Sequence, residues 1–395
     1  MNTFRQLSLA LLSSALGALF LALPAAQAQE PIKIGVILPL TGPYADYGEQ
    51  IGNGLKLYMK QHGDSVAGRK IVVTIRDDTG IAPELSKRLA SDFLVQDKVD
   101  ILAGFGLTPS AMAVAPLATQ AKKAMVIMNA ATSVITTKSP YIVRFSHTLP
   151  QISAPMATYA AKSGVKKMYT LVADYGPGID AEVAFKKAFE AAGSQLVGSV
   201  RVPVTNLDFS SYMQRIKDAA PEAVFLFLPP GSATVSFLKA YKERGLDKAG
   251  IKLLATVDFA DDDLMDVLGT SVLGVVTSGH YSMAHDSALN KEYVAAYAAA
   301  YGTKKRPNFM SVGGYDGMAG IYAALKKTNG DTDGDKLLAA MKGLAFESPR
   351  GPIMIDPETR DIVQTVYYRR AEERNGRVFN IEFDSVKNVK DPGKQ

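Results

Sequence analysis

Apolar residues recur along this chain with two alternating periods. Ile32-Lys33-Ile34-Gly35-Val36-Ile37-Leu38 is a nearly continuous apolar run, the mark of a strand buried on both faces. Pro39 ends it, and Thr41-Gly42-Pro43 makes a loop. Tyr47 to Gln61 then carries Ile51, Leu55, Leu57 and Tyr58 in a helical pattern. The same succession follows twice more and ends on a further strand. Lys70–Ile75 predicts a strand and Pro83–Gln96 a helix. Val99–Gly104 predicts a strand and Ser110–Lys122 a helix, and Ala124–Met128 a fourth strand. Strands alternating with helices predict a parallel sheet covered on both faces.

The alternation restarts at Lys167–Val172. The strands Gln195–Val202, Ala223–Leu228 and Lys252–Ala255 follow, with helices Gly178–Ala192, Ser210–Ala219 and Ala233–Gly245 between or after them. This predicts a second sheet of the same type. Three helices come next, Asn290–Tyr301, Gly313–Thr328 and Asp335–Lys342. The tail changes character: Gly351–Pro357 and Val363–Arg370 read as an antiparallel hairpin. The fold class is therefore α/β, with two doubly wound parallel-sheet domains. No low-complexity linker separates them, so several short crossings are expected rather than one tether.

The first 28 residues follow neither period. Arg5 precedes an apolar run from Leu7 to Leu23, and Ala26-x-Ala28 fits the small-residue rule for signal peptidase. Residues 1–28 read as a cleaved secretory signal. A retained anchor is the alternative, since the run is close to the ~17 residues of a short span, but the Ala-x-Ala end favours cleavage. No Cys follows the cleavage site, so a lipid-anchored start is excluded, and the expected address is the periplasm.

Composition removes further classes. The chain has no Cys, so disulfides and thiolate chemistry are absent, and its stability must come from its cores. Apolar residues make up 47%, enough for two sizeable cores. The net charge of +5 comes from scattered pairs such as Lys122-Lys123 and Lys166-Lys167, which is no nucleic-acid footprint. With four His and no Gly-x-Ser-x-Gly, phosphate-loop or His-Glu-x-x-His motif, an enzyme lacks most of its parts. No cofactor or metal is expected. Asp261-Asp262-Asp263 reads as an acidic helix start, Asp77-Asp78 as turn residues, and Phe105, Met112 and Met128 as core. His280 and His285 read as hinge or rim residues.

Three loops follow predicted strand ends, where open α/β sheets bind ligands. They are Pro39–Gly48, Gly104–Ser110 and Asn129–Ser133. Each joins small residues and hydroxyls to a following helix, which suits a bound anion. The plainer alternative is that Thr108, Ser110 and Thr132 only cap helices.

In order, Ile34–Gly42, Asp77-Asp78, Ala111–Pro116, Asn129–Thr132, Asp174-Tyr175-Gly176 and Gly313–Asp316 resemble one family. The chain is similar to periplasmic solute-binding proteins of the type I fold, in the Leu/Ile/Val-binding group that serves ABC importers. The resemblance spans about Pro31 to Phe383. It implies a monomeric two-lobed clamp with a three-stranded hinge and no catalysis. Its partners would be a small carboxylate and a membrane permease. Thr108 and Thr132 would hold the carboxylate, and the Ala130 carbonyl would accept from an ammonium. Tyr47 would line the pocket, Tyr175 would close over it, and Asp258 would face the ammonium. The implied lobes are 29–148 with 283–355 and 149–282 with 356–395, with crossings near Thr148, Ser282 and Asp356. Leu228-Pro229-Pro230 departs from the amino-acid binders, since it offers an apolar wall without a phenol. The expected ligand is a hydrophobic or branched-chain amino acid. The alternatives are an aromatic carboxylate of benzoate or cinnamate type, or a sensor that reports to a regulator.

Overall fold

The computed structural model describes residues 30–205 and 208–394, so the predicted signal segment lies outside the described residues. The first sheet is built from β1 (Ile32–Leu38), β2 (Ser65–Val66), β3 (Arg69–Asp77), β4 (Ile101–Gly104), β5 (Ala124–Ile127) and β6 (Ile142–Arg144). Its order is β2-β3-β1-β4-β5-β6, and every pairing except the short β2–β3 hairpin is parallel. Parallel neighbours require a crossover, and the helices supply it. They are α1 (Ala45–His62), α2 (Pro83–Asp92) and α3 (Thr108–Ala121).

α4 (Leu149–Lys162) leads into the second sheet, which begins with β7 (Lys167–Ala173), β8 (Gln195–Val202), β9 (Ala223–Phe227), β10 (Lys252–Thr256) and β11 (Val276–Gly279). α5 (Gly176–Ala191), α6 (Ser210–Ala219), α7 (Ser232–Glu243) and the single turn α8 (Met265–Leu268) connect them. The chain then returns to the first sheet with α9 (Ala288–Tyr301), α10 (Phe309–Lys327) and α11 (Gly334–Met341). α10 lies along α1, with Gly54 against the Ser311 carbonyl and Gly314 against the Ile51 carbonyl; a Cβ at either glycine would meet backbone at about 2 Å.

The second sheet is not wholly parallel. β11-β10-β9-β7-β8 is, but β12 (Ala345–Ser348), β13 (Gly351–Ile355), β14 (Ile362–Arg374) and β15 (Arg377–Val389) join it antiparallel. The predicted hairpin is present as β13–β14, and β14–β15 extends it. β12 and β13 pair with the second sheet, whereas the sequence grouped residues up to 355 with the first. The reason is the reach of the hairpin. Its turn at Asp356–Asp361 touches the first half, where Arg360 donates to the Ile142 carbonyl and the Arg144 amide donates to the Arg360 carbonyl. One antiparallel element thus spans both halves.

Candidate functional site

The carboxyl ends of β1, β4 and β5 face those of β7, β9 and β10, and the cleft lies between them. It holds only about 20 Å³ of free space, room for about one water, so the halves are closed on each other.

On the first half, Gly104 ends β4 at φ +101, where a Cβ would meet the Ile37 carbonyl at 2.5 Å. Phe105 follows at φ +64, a strained position for a buried aromatic. Its amide donates to Ile37 and its carbonyl accepts from Ala130, which ties the second and third loops together. The result places Thr108 Oγ1 2.8 Å from Thr132 Oγ1. One hydroxyl hydrogen joins the two, leaving the other free to donate to a third group. Neither residue makes a side-chain cap: Leu107 is the N-cap of α3, and Thr132 is the N-cap of a 3₁₀ turn to which its side chain does not bond. Buried Arg144 donates to the Thr132 carbonyl at 2.8 Å and so fixes that residue's backbone.

On the second half, β7 ends at Ala173, and Tyr175 is the N-cap of α5. Gly176 follows, and a Cβ there would stand 2.8 Å from Thr132 Oγ1 and 3.6 Å from Thr108 Cγ2. Only glycine allows α5 to come this close to the threonine pair. The Tyr175 ring lies roughly parallel to Phe227, centroids 6.0 Å apart. Asp258 is buried and accepts from Thr256 Oγ1 at 2.9 Å. Burial pushes its carboxyl up to about 6, against a smaller opposing effect of the Thr256 bond. Burial also raises the phenols of Tyr47 and Tyr175, and the Asp258 charge adds to both shifts.

Tyr47, Thr108, Ala130, Tyr175 and Asp258 all line the cleft, and Thr132 reaches it through its bond to Thr108. The Ala130 amide is occupied by Phe105, which leaves its carbonyl as the group to offer a ligand. The apolar wall is Phe227 rather than Leu228. Alternation along β9 turns Leu228 into the core of the second half, and Pro230 lines a neighbouring pocket of about 260 Å³ that shares Tyr47. Sequence reasoning missed Phe227, Asn129 and His147 as lining residues. Asn129 opens a quoted motif, and His147 stands just before the predicted crossing at Thr148, which were the available signals.

The halves also meet outside the cleft. The Ser133 amide donates to Asp180 on α5 at 2.7 Å. Asp261 caps a 3₁₀ turn, as an acidic helix start should, and it also accepts from Asn308 at 2.9 Å. Asp263 accepts from Gln50 on α1. His280 is fully buried and stacks on His147, while His285 pairs with Glu382 at 2.8 Å. Asp77 and Asp78 accept from the turn amides of Thr79 and Gly80. Among the described residues no group of three acidic or His side chains is arranged for a metal ion.

Known proteins share this arrangement. A family model described as periplasmic binding protein matches residues 31–377. Leu/Ile/Val-binding protein homolog 6 of Brucella melitensis biotype 1 is 45% identical over 381 residues, covering 96% of this chain and 97% of that one. A solute-binding protein of an ABC transporter from Rhodopseudomonas palustris BisB5, solved with 3,4-dihydroxybenzoic acid, is 54% identical with a TM-score of 0.89. The match covers 92% of this chain and 99% of that one. The solute-binding protein from Rhodopseudomonas palustris HaA2, solved with p-hydroxybenzoic acid, is 44% identical with a TM-score of 0.90, covering 92% and 100%.

Proposed function

The chain belongs to the periplasmic binding protein family, whose members hold small solutes for ABC importers, and from that premise we propose that its cleft captures a small aromatic carboxylate. The carboxylate binds the free hydroxyl of the Thr108–Thr132 pair and the amino-terminal amides of α3, whose partial positive charge favours an anion. The ring lies against Phe227, Leu107 and Leu149. A ring hydroxyl donates to Asp258. Tyr175 and Gly176 close over the ligand as the second half swings in, and the closed form is delivered to the permease. The protein acts as a monomer and leaves its ligand chemically unchanged. The hinge runs near 148 and 282 and through the hairpin around Asp356.

The observation that carries this reading is the lining: a closed cleft that brings Phe227, Leu107 and Leu149 together with the threonine pair and a single buried carboxylate, Asp258. Structural relatives at 54% and 44% identity hold hydroxybenzoic acids, which supports it. This reverses the order in which the sequence ranks the two ligands. Asp258 keeps the hydrophobic amino acid as a second reading, since a buried carboxylate suits an ammonium, and a 45% identical relative bears a Leu/Ile/Val-binding name. A thermal-shift screen separates them. At ~100 times its dissociation constant a true ligand adds ~2.7 kcal/mol of stability. Stabilisation by 3,4-dihydroxybenzoate or 4-hydroxybenzoate but not by leucine, isoleucine, valine or phenylalanine is the expected result. The opposite pattern would overturn it.

A further inference from the structure

One polar group in the cleft has no role in this scheme. His147 lines the cavity, is 1% exposed, and has neither ring nitrogen in a hydrogen bond. A buried imidazole left this way is costly, because each polar atom has lost its water. Asn129, on the same cavity, likewise leaves its Oδ1 unpartnered. We infer that His147 is a specificity residue that hydrogen-bonds a ring hydroxyl of the ligand, so that the cleft selects hydroxylated aromatic acids over unsubstituted ones.

The surroundings hold His147 ready for that task. Its ring stacks on His280 with centroids 4.7 Å apart, and the edge of Phe309 contacts both rings at 5.6 and 6.0 Å. The imidazole is therefore oriented before any ligand arrives. Burial, with Arg144 and Arg350 nearby, holds it down to about 3, so at neutral pH it carries no charge. The two arginines are themselves engaged. Arg144 faces Asp361 at 3.1 Å and Arg350 faces Asp316 at 2.8 Å. A neutral imidazole offers one donor and one acceptor. That pair matches a hydroxyl, which both donates and accepts, better than a carboxylate, which only accepts. His280 sits behind His147, away from the cavity lining, and serves as its stacking support.

This inference rests on the aromatic-acid reading, and the experiment separates the two. Calorimetry on the wild-type protein compares benzoate with 3-hydroxybenzoate, 4-hydroxybenzoate and 3,4-dihydroxybenzoate. At least one hydroxylated acid should bind roughly tenfold more tightly than benzoate. In His147→Leu the ratio of the two affinities should fall by about threefold or more, with the Asp258 contact carrying the remainder, and His147→Gln should restore part of it. A His147→Leu protein that keeps the full wild-type ratio, whether or not both affinities fall, would overturn the role of His147 and leave the aromatic reading standing. Wild-type protein that binds leucine and no benzoate would overturn both. Should the variants fail to fold, the wild-type chain still answers, because it has only four histidines. With ¹⁵N-labelled histidine, the preferred hydroxylated acid should shift the His147 ring nitrogens and benzoate should not; identical spectra with the two ligands would refute the proposal.

Discussion

Asp316 and Asp258 are both buried carboxylates, and they differ in what faces them. Asp316, on α10, receives Arg350 Nε at 2.8 Å and the Ser348 hydroxyl at 2.7 Å. Arg350 in turn donates to the Phe145 carbonyl and to Gln364, so one guanidinium joins the first half, the crossing and the hairpin. Asp258 has a threonine hydroxyl and a more distant Arg369. The first carboxylate has a cation of its own, although both contacts fall on Oδ2 and its Oδ1 has no partner. The second makes no ion pair among the described residues and lies in a cleft where a ligand can supply a donor. The buried carboxylate with its own cation ties the scaffold together, and the one without a contacting cation lies in the cleft, where the proposed ligand would meet it.

The largest test of that contrast is stability. Asp316→Ala strands a fully buried guanidinium and should cost about 3–5 kcal/mol in urea unfolding. Asp258→Asn, measured at pH 5, should be nearly neutral, because it removes a carboxyl that burial already keeps largely protonated. Equal losses from the two changes would erase the distinction.

Binding comes next. Thr108→Ala removes a hydroxyl from the proposed carboxylate site and should weaken 4-hydroxybenzoate by about 1.5–3 kcal/mol, tenfold or more by calorimetry. Unchanged affinity would remove Thr108 from the site. A smaller loss is expected from Gly176→Ala. The added Cβ would stand 2.8 Å from Thr132 Oγ1 only when the halves are closed. Affinity should drop by about 1–2 kcal/mol, with unfolding of the ligand-free protein little changed.

The most modest effect is in pH. Burial raises the folded Asp258 carboxyl to about 6, above its ordinary 3.8. Between those values the folded state binds more protons than the unfolded one, so stability falls as pH rises. The contribution is complete below about pH 4 and is lost as pH passes through 6. Asp261 and Asp262 are shifted in the same direction, chiefly by burial. Asp258→Asn should therefore gain on the wild type between pH 4 and pH 7, as read by urea midpoints. A constant difference across that range would show that Asp258 is not shifted.

Much of this protein follows from local pattern. Continuous apolar runs alternating with helical periods predict nearly every parallel strand and its crossover, because burial on both faces leaves its mark on each short segment. The same logic leads to the loops that carry Thr108 and Thr132, since strand-end loops carry the ligand in such sheets, whereas Tyr175 entered only through the family resemblance. What the local pattern does not carry is partnership between distant segments. β15 alternates polar and apolar residues on an edge, and α4 holds Pro155 and little polar character, so neither stood out. The choice of Phe227 over Leu228 depends on which face of β9 meets the cleft, a parity that only the assembled sheet decides. His147 and His280 are unremarkable as single residues. Their stacking, their burial near Arg350, and the place of His147 in the cleft lining arise only when two crossings and the hairpin come together. Periodicity is a property of neighbours in sequence, whereas desolvation and unmet hydrogen bonds are properties of neighbours in space.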